Sequence, residues 1–208
     1  MEALAPVLSP PPPARGRPRE FCTDAALAAA LGVFWAKGYE GASMAALCEA
    51  MGITKPSLYA AFGNKEQLFG RALDLYEHEK LAYTREALQE PTARGVAAHI
   101  MRGAIEAQTS SCDPKGCMGL IAATACGAEA ESIKAAVIER RQSSCTALVE
   151  RFRQAQADGD LPPSMDPEAL AQLLYTILQG MAAQAGAGAT RDDLERVMAT
   201  SLAIWPGR

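Results

Sequence analysis

Only two histidines, His78 and His99, occur among the 208 residues, and no two of the six cysteines (22, 48, 112, 117, 126 and 145) stand in a Cys-x-x-Cys pair. The usual zinc-site spacings and the dithiol redox motif are therefore missing. So are a nucleophile elbow, a phosphate loop and a dinucleotide fingerprint. With so few catalytic side chains an enzyme is not expected, nor is any cofactor or metal. His78, inside the charged "YEHEK", reads as a solvent-facing helix residue. Strand formers are scarce too: six Val and eight Ile stand beside abundant Ala, which points to an all-α fold.

Long apolar runs are few. The longest charge-free stretch, residues 169–190, is broken by Gln172, Gln179, Gln184 and by glycines 180, 186 and 188, so it reads as a buried helix and not as a membrane span. The opening "MEALAPVLSPPPPARGRPRE" has neither a basic leader nor a sustained apolar core and does not read as a signal peptide. A reducing cytoplasm is the expected compartment, with no membrane partner.

The net charge of -4 is unlike a nucleic-acid binder, but the charge is unevenly spread. Residues 1–71 carry +1 and the rest -5, and the basic residues of the first part fall in the leading arm and at helix starts. A basic reader joined to an acidic body fits that pattern.

Punctuation along the first third marks four helices. The first starts at Thr23 or Asp24, either of which can cap it, carries Leu27, Leu31, Phe34 and Trp35 at helical spacing, and stops at Gly38. Ser43 caps a second, short helix that ends at Gly52. Thr54 caps a third, with Pro56 in its first turn, where a missing N–H costs nothing. Gly63 ends that helix, and Asn64 caps a long fourth one through "KEQLFGRALDLYEHEKLAYTREAL". Leu58 and Phe62, four residues apart, point inward and leave Lys55, Ser57, Tyr59 and Ala60 outside. Two short helices across a tight turn, the second with a small polar and aromatic face, form the geometry of a helix-turn-helix DNA reader.

Residues 17 to 70 resemble the DNA-binding domain of the TetR family of bacterial transcriptional regulators. The resemblance is carried by "GRPRE", by "FWAKGYEGASMAALCEAMGITKPSLYAAFGNKEQLF", and above all by the order Gly-Ile-Thr-Lys-x-Ser-Leu-Tyr-x-x-Phe-Gly-Asn-Lys-Glu. It implies that the third helix enters the major groove. Lys55 then reaches a phosphate or a guanine edge, Thr54 and Ser57 bond backbone or bases, and Tyr59 offers its hydroxyl to a phosphate and its ring to a thymine methyl. Ser43 and Lys65, at helix starts, suit phosphates. The family often has a bulky polar residue where this chain has Ala60 and Ala61, so readout there is confined to methyl contacts. Arg15, Arg17 and Arg19 form a thin extended cation that is either a minor-groove arm or a solubilising tail.

The resemblance divides the chain into a disordered basic and Pro-rich arm (1–19), a helix-turn-helix DNA-binding domain (20–70) and a larger ligand-binding and dimerisation domain (71–208), about nine helices in all. Helices are expected from Thr92 to Ser110, Gly119 to Ala125, Glu129 to Asp158, Pro167 to Ala187 and Thr190 to Trp205. Val96, Ile100 and Ala104 share a face of the first of these, and Ile138, Cys145, Val149 and Phe152 a face of the third. In relatives the last two helices pair between subunits. By that analogy Leu170, Leu174, Ile177, Leu178, Met181, Leu194, Met198, Leu202 and Trp205 form a homodimer interface, although the same stripes can close one chain's own core. Two readers one helical turn apart require a palindromic operator.

The middle helices would enclose a small-molecule effector, with Ile105, Cys117, Met118, Ile121, Thr124, Tyr175 and Gln179 as lining candidates; ordinary core packing is the alternative for each. The leading reading is a ligand-responsive repressor released from DNA by its effector. Two rivals stand beside it. One is a redox or electrophile sensor using Cys112 and Cys117 of "SSCDPKGCMG"; the other is a helical small-molecule binder or enzyme whose helix-turn-helix is only structural.

Overall fold

The computed structural model describes residues 21–125 and 130–207. Among these there are ten helices and no strand. The arm with Arg15, Arg17 and Arg19 lies outside the described residues.

The first four helices are α1 (Thr23–Gly41), α2 (Met44–Met51), α3 (Lys55–Phe62) and α4 (Lys65–Lys80). Neither Thr23 nor Asp24 caps α1. Its N-cap is Cys22, which makes no side-chain cap, and Asp24 instead sits in the first turn, where its charge faces the positive end of the helix dipole. Gly38, at φ 70 and ψ 175, breaks the helical path of α1 near its end. The other caps agree with the sequence. Ser43 Oγ accepts from the Ala46 N–H at 3.1 Å, Gly52 closes α2 in the left-handed region, and Asn64 forms a reciprocal capping box with Gln67.

The expected long fourth helix is two helices. Leu81, at φ -111 and ψ 13, separates α4 from α5 (Ala82–Ala87), and no glycine or proline marks the break. Tertiary packing accounts for it: the turn lays Tyr83 across Gly103 so closely that a Cβ there would stand 2.3 Å from the ring. The remaining helices are α6 (Ala93–Thr109), α7 (Met118–Ala125), α8 (Glu131–Ala157), α9 (Pro167–Gly186) and α10 (Arg191–Ala203). Asp166 caps α9 through the N–H groups of Glu168 and Ala169, and Thr190 caps α10 in a second capping box with Asp193.

Two apolar cores hold these helices. The first gathers Phe34, Trp35, Leu47, Leu58, Phe62, Leu68, Phe69 and Tyr76 from α1 to α4, and extends to Met118, Ile133 and Val137 of α7 and α8. Edge-on ring pairs stitch it: Phe34 with Phe69 at 5.1 Å and Trp35 with Tyr76 at 4.9 Å. The second core is built from α6, α8, α9 and α10, with Val96, Ile100, Met101, Ile105, Leu148, Phe152, Leu174, Met181, Leu194 and Trp205. α8 thus serves both, Ile133 and Val137 in the first and Leu148, Val149 and Phe152 in the second. Ile138 is not on the buried face expected for it; it stands 40% exposed between the two segments. No helix among the described residues is long and apolar enough to cross a membrane.

Candidate nucleic-acid interface

The reader helix is short and held at both ends. Thr54 Oγ1 accepts from the Ser57 N–H at 3.3 Å and lies 2.9 Å from Ser57 Oγ, so one of the two hydroxyl protons stays available. Pro56 occupies the first turn, and Gly63, at φ 74, ends the helix. Leu58 (0% exposed) and Phe62 (3%) anchor it in the first core. Burial on one face leaves the other to solvent: Lys55, Pro56 and Ala60 are exposed, Ser57 is half-buried, and Tyr59, a large aromatic, stands 47% exposed.

Cations border this face. Lys65 Nζ sits 4.5 Å over the Tyr39 ring at the start of α4, and its pKa is lowered by burial, against the opposing pull of Glu40. Arg71, absent from the sequence-derived set, stacks over Phe62 at 4.7 Å and donates to the Ala61 carbonyl at 3.0 Å, capping the far end of α3 with positive charge. The pairing of a residue on α4 with the last turn of α3 has no local sequence signature. Ser43 is exposed at the start of α2, its hydroxyl already engaged as a cap.

Beyond the shared core, polar contacts tie α1 and α4 to the rest of the chain. Arg140 of α8 reaches Asp74 at 2.6 Å and Glu77 at 3.0 Å, both on α4. Burial alone would lower its pKa, but these carboxylates outweigh it and the net direction is upward. Lys80 pairs with Asp113 at 2.8 Å. The Trp35 indole N–H donates to the Gly116 carbonyl at 3.0 Å. The last two meet the loop of residues 110–117, which joins α6 to α7.

The expected effector residues are divided between the cores. Met118 (1% exposed) and the half-buried Ile121 belong to the first; Ile105 (1%) and the half-buried Tyr175 belong to the second; Gln179 is half-buried on α9. Cys117 is half-buried and accepts from the Tyr76 hydroxyl at 3.7 Å. The Thr124 side chain lies outside what is described. One surface depression lies between α3, α4 and α8 (Tyr59, Phe62, Arg71, Arg140) and another between α9 and α10 (Gln184, Arg196, Thr200), and none of the expected effector residues lines these two.

The residues of the expected dimer stripe divide by burial. Leu170, Leu174, Met181, Leu194 and Trp205 are all buried within the chain itself, where they join α9 and α10 to α6 and α8. These five pack in the chain's own core. Ile177, Leu178, Met198 and Leu202 are half-buried beside them. What α9 and α10 present outward is Leu173 (47% exposed) and Ile204 (81%), among small residues such as Ala169, Gly180, Ala183, Ala199 and Ala203.

Comparison with known proteins agrees on both sides of the chain. Residues 26–72 match the family model for bacterial regulatory proteins of the tetR family, and residues 97–201 match the model for the tetracyclin repressor-like C-terminal domain. The HTH-type transcriptional repressor ComR of Escherichia coli (strain K12) is 36% identical over 195 residues, covering 92% of each chain. The repressor BdcR of the same organism is 26% identical over 187 residues, covering 89% of this chain and 88% of its own. Among solved structures, a cysteine mutant of the TetR family transcriptional regulator CifR, complexed with 26 bp double-strand operator DNA, superposes with a TM-score of 0.87 at 43% identity, over 92% of this chain and 100% of that one. All three relatives are regulators of transcription. An exposed reader helix, two matched family models and a repressor alike over nearly the whole length lead to one assignment: the chain belongs to the TetR family of bacterial transcriptional regulators.

Proposed function

We propose that two copies of the chain bind a palindromic operator as a homodimer, repress transcription in the cytoplasm, and leave the DNA when a small molecule binds between the helices of residues 71–208. The observation that carries this is the outward face of α3: a helix whose inner face is fully anchored while Lys55, Tyr59 and Ala60 are left to solvent. The chemistry of that face suits a major groove. Lys55 supplies charge for a phosphate or guanine, Tyr59 a hydroxyl and a flat ring, Pro56 and Ala60 apolar contact for thymine methyls, and the spare hydroxyl proton of the Thr54 and Ser57 pair one more donor. Ser43, Lys65 and Arg71 then face phosphates on either side, and Arg15, Arg17 and Arg19 follow the adjacent minor groove. The operator-bound CifR mutant, which shares 43% identity, supports the same use of the fold.

Pairing through Leu173, Ile204 and the small residues around them holds the two readers at a fixed separation. An effector favouring a different separation releases DNA in proportion to its preference for that arrangement. Replacing Lys55 and Tyr59 together by alanine tests the reading. Sequence-specific binding is expected to collapse while the helical signal and the dimer mass stay those of the wild type. Retention of specific binding by the double variant contradicts it.

A further inference from the structure

Gln108 is the only polar or charged residue among the described ones that is buried, 7% exposed, and its Oε1 has no hydrogen-bond partner there. A buried carbonyl without a partner costs more than a made hydrogen bond returns, and leucine would fill similar space without that cost. A position that holds such a group at the expense of stability invites a functional reading.

Its surroundings supply one. Gln108 lies in the last turn of α6, just before the loop of residues 110–117. α6 packs along α9, and the loop comes down on α9 as well: a Cβ on Gly116 would stand 3.3 Å from the Ala182 carbonyl oxygen. The two cores meet in this region. Ile105, on the preceding turn of α6, belongs to the second core, and Met118, just beyond the loop, to the first. Along that seam lie groups that are polar but uncharged. Tyr76 donates to Cys117 at 3.7 Å; burial pushes the Tyr76 and Tyr83 hydroxyls up, each with Cys117 as a neighbour, and pushes Tyr175 up to about 12. The cations nearby are exposed or already paired: Arg141 stands over the Tyr175 ring at 5.7 Å and Lys115 donates to the Thr109 carbonyl at 3.4 Å, both from exposed positions, while Lys80 is held by Asp113 at 2.8 Å.

We infer that Gln108 Oε1 is the anchoring acceptor of the effector site, and that the effector is a small uncharged molecule with an apolar body and a single hydroxyl or N–H donor. The body fills the seam between the cores; the donor satisfies the carbonyl. Anions and cations are excluded because nothing buried there compensates a charge. This assignment rests on the effector-release reading above.

The test uses the full-length protein, Gln108→Leu, and two matched probe pairs: phenol with anisole, and cyclohexanol with methoxycyclohexane, plus benzoate. The variant is expected to melt at or above the wild-type temperature and to bind operator DNA as the wild type does. The alcohols are expected to bind the wild type about five-fold more tightly than their ethers, the worth of one net hydrogen bond, and the preference should vanish in Gln108→Leu. Benzoate is expected to bind neither protein. A variant that melts lower than the wild type overturns the inference, because the amide then has a structural partner. So does equal binding of alcohol and ether by the wild type, or no binding of either, or a preference for benzoate. If DNA binding is intact while the probe pairs fail in this way, the regulator reading survives and only this site falls. If the alcohols bind with the expected signature but leave the operator complex intact, the site stands and effector release falls.

Discussion

The indole N–H of Trp35 meets the carbonyl oxygen of Gly116 at 3.0 Å, joining residues 81 positions apart in the chain. Trp35 is 2% exposed on α1 inside the reader's core, and Gly116 belongs to the loop resting on α9. One hydrogen bond therefore connects the DNA-reading helices to the helices proposed to hold the effector. Trp35→Phe keeps an aromatic ring against Tyr76 but strands the Gly116 carbonyl. A stability loss of about 1–3 kcal/mol is expected by urea unfolding, together with weaker release of DNA by effector. Unchanged stability would mean that the bond carries no weight.

Leu173 and Leu174 are neighbours on α9 with opposite roles. Leu174 is 0% exposed in the chain's own core, and Leu173 is 47% exposed on the outer face. Leu174→Ala is expected to cost about 2–5 kcal/mol of stability. Leu173→Arg is expected to leave the helical signal intact and halve the mass measured by sedimentation, because two charges would then face each other across the proposed interface. A Leu173→Arg protein that sediments as a dimer places the interface elsewhere.

Asp193 ties α10 to its N-cap, and its pKa is held below the ordinary carboxylate value by the Thr190 hydroxyl first, then by the Thr190 N–H and the charge of Arg196, against a small opposing effect of burial. A depressed pKa in the folded state means that the unfolded chain takes up the proton first. The contribution is full above the unfolded value of about 4 and fades as pH falls through the lower folded value. Asp193→Asn removes the titration while keeping an acceptor. Wild type is expected to melt above the variant at pH 6, and the gap is expected to close on acidification toward pH 3. A gap that is constant with pH contradicts the role given to the charge.

What the sequence made legible follows from how local each signal is. Caps at Ser43, Thr54 and Asn64 act within three residues and are read directly. The anchors Leu58 and Phe62 follow from helical spacing, and so does the face left outside. Long-range choices are a different matter. Leu81 breaks a continuous helical pattern because Tyr83 has a seat on Gly103, and nothing near position 81 announces that seat. The apolar stripes of α9 and α10 are evident, but periodicity cannot tell an interior facing α6 and α8 from one facing a second subunit. Arg71, Arg140 and Gln108 escaped for the same reason: the Ala61 carbonyl, the Asp74 and Glu77 pair, and the seam between the cores are set by packing between distant segments.

Selection of bound duplexes from a pool of random DNA tests the central claim most directly, since it asks for sequence preference and for symmetry in one measurement. The expected result is an inverted repeat whose half-sites are separated by about one helical turn, bound with an affinity that falls as salt rises. Recovery of no preferred sequence at modest salt, or of a single site without a symmetric partner, would contradict the reading of α3 as a groove-entering helix presented twice by a homodimer.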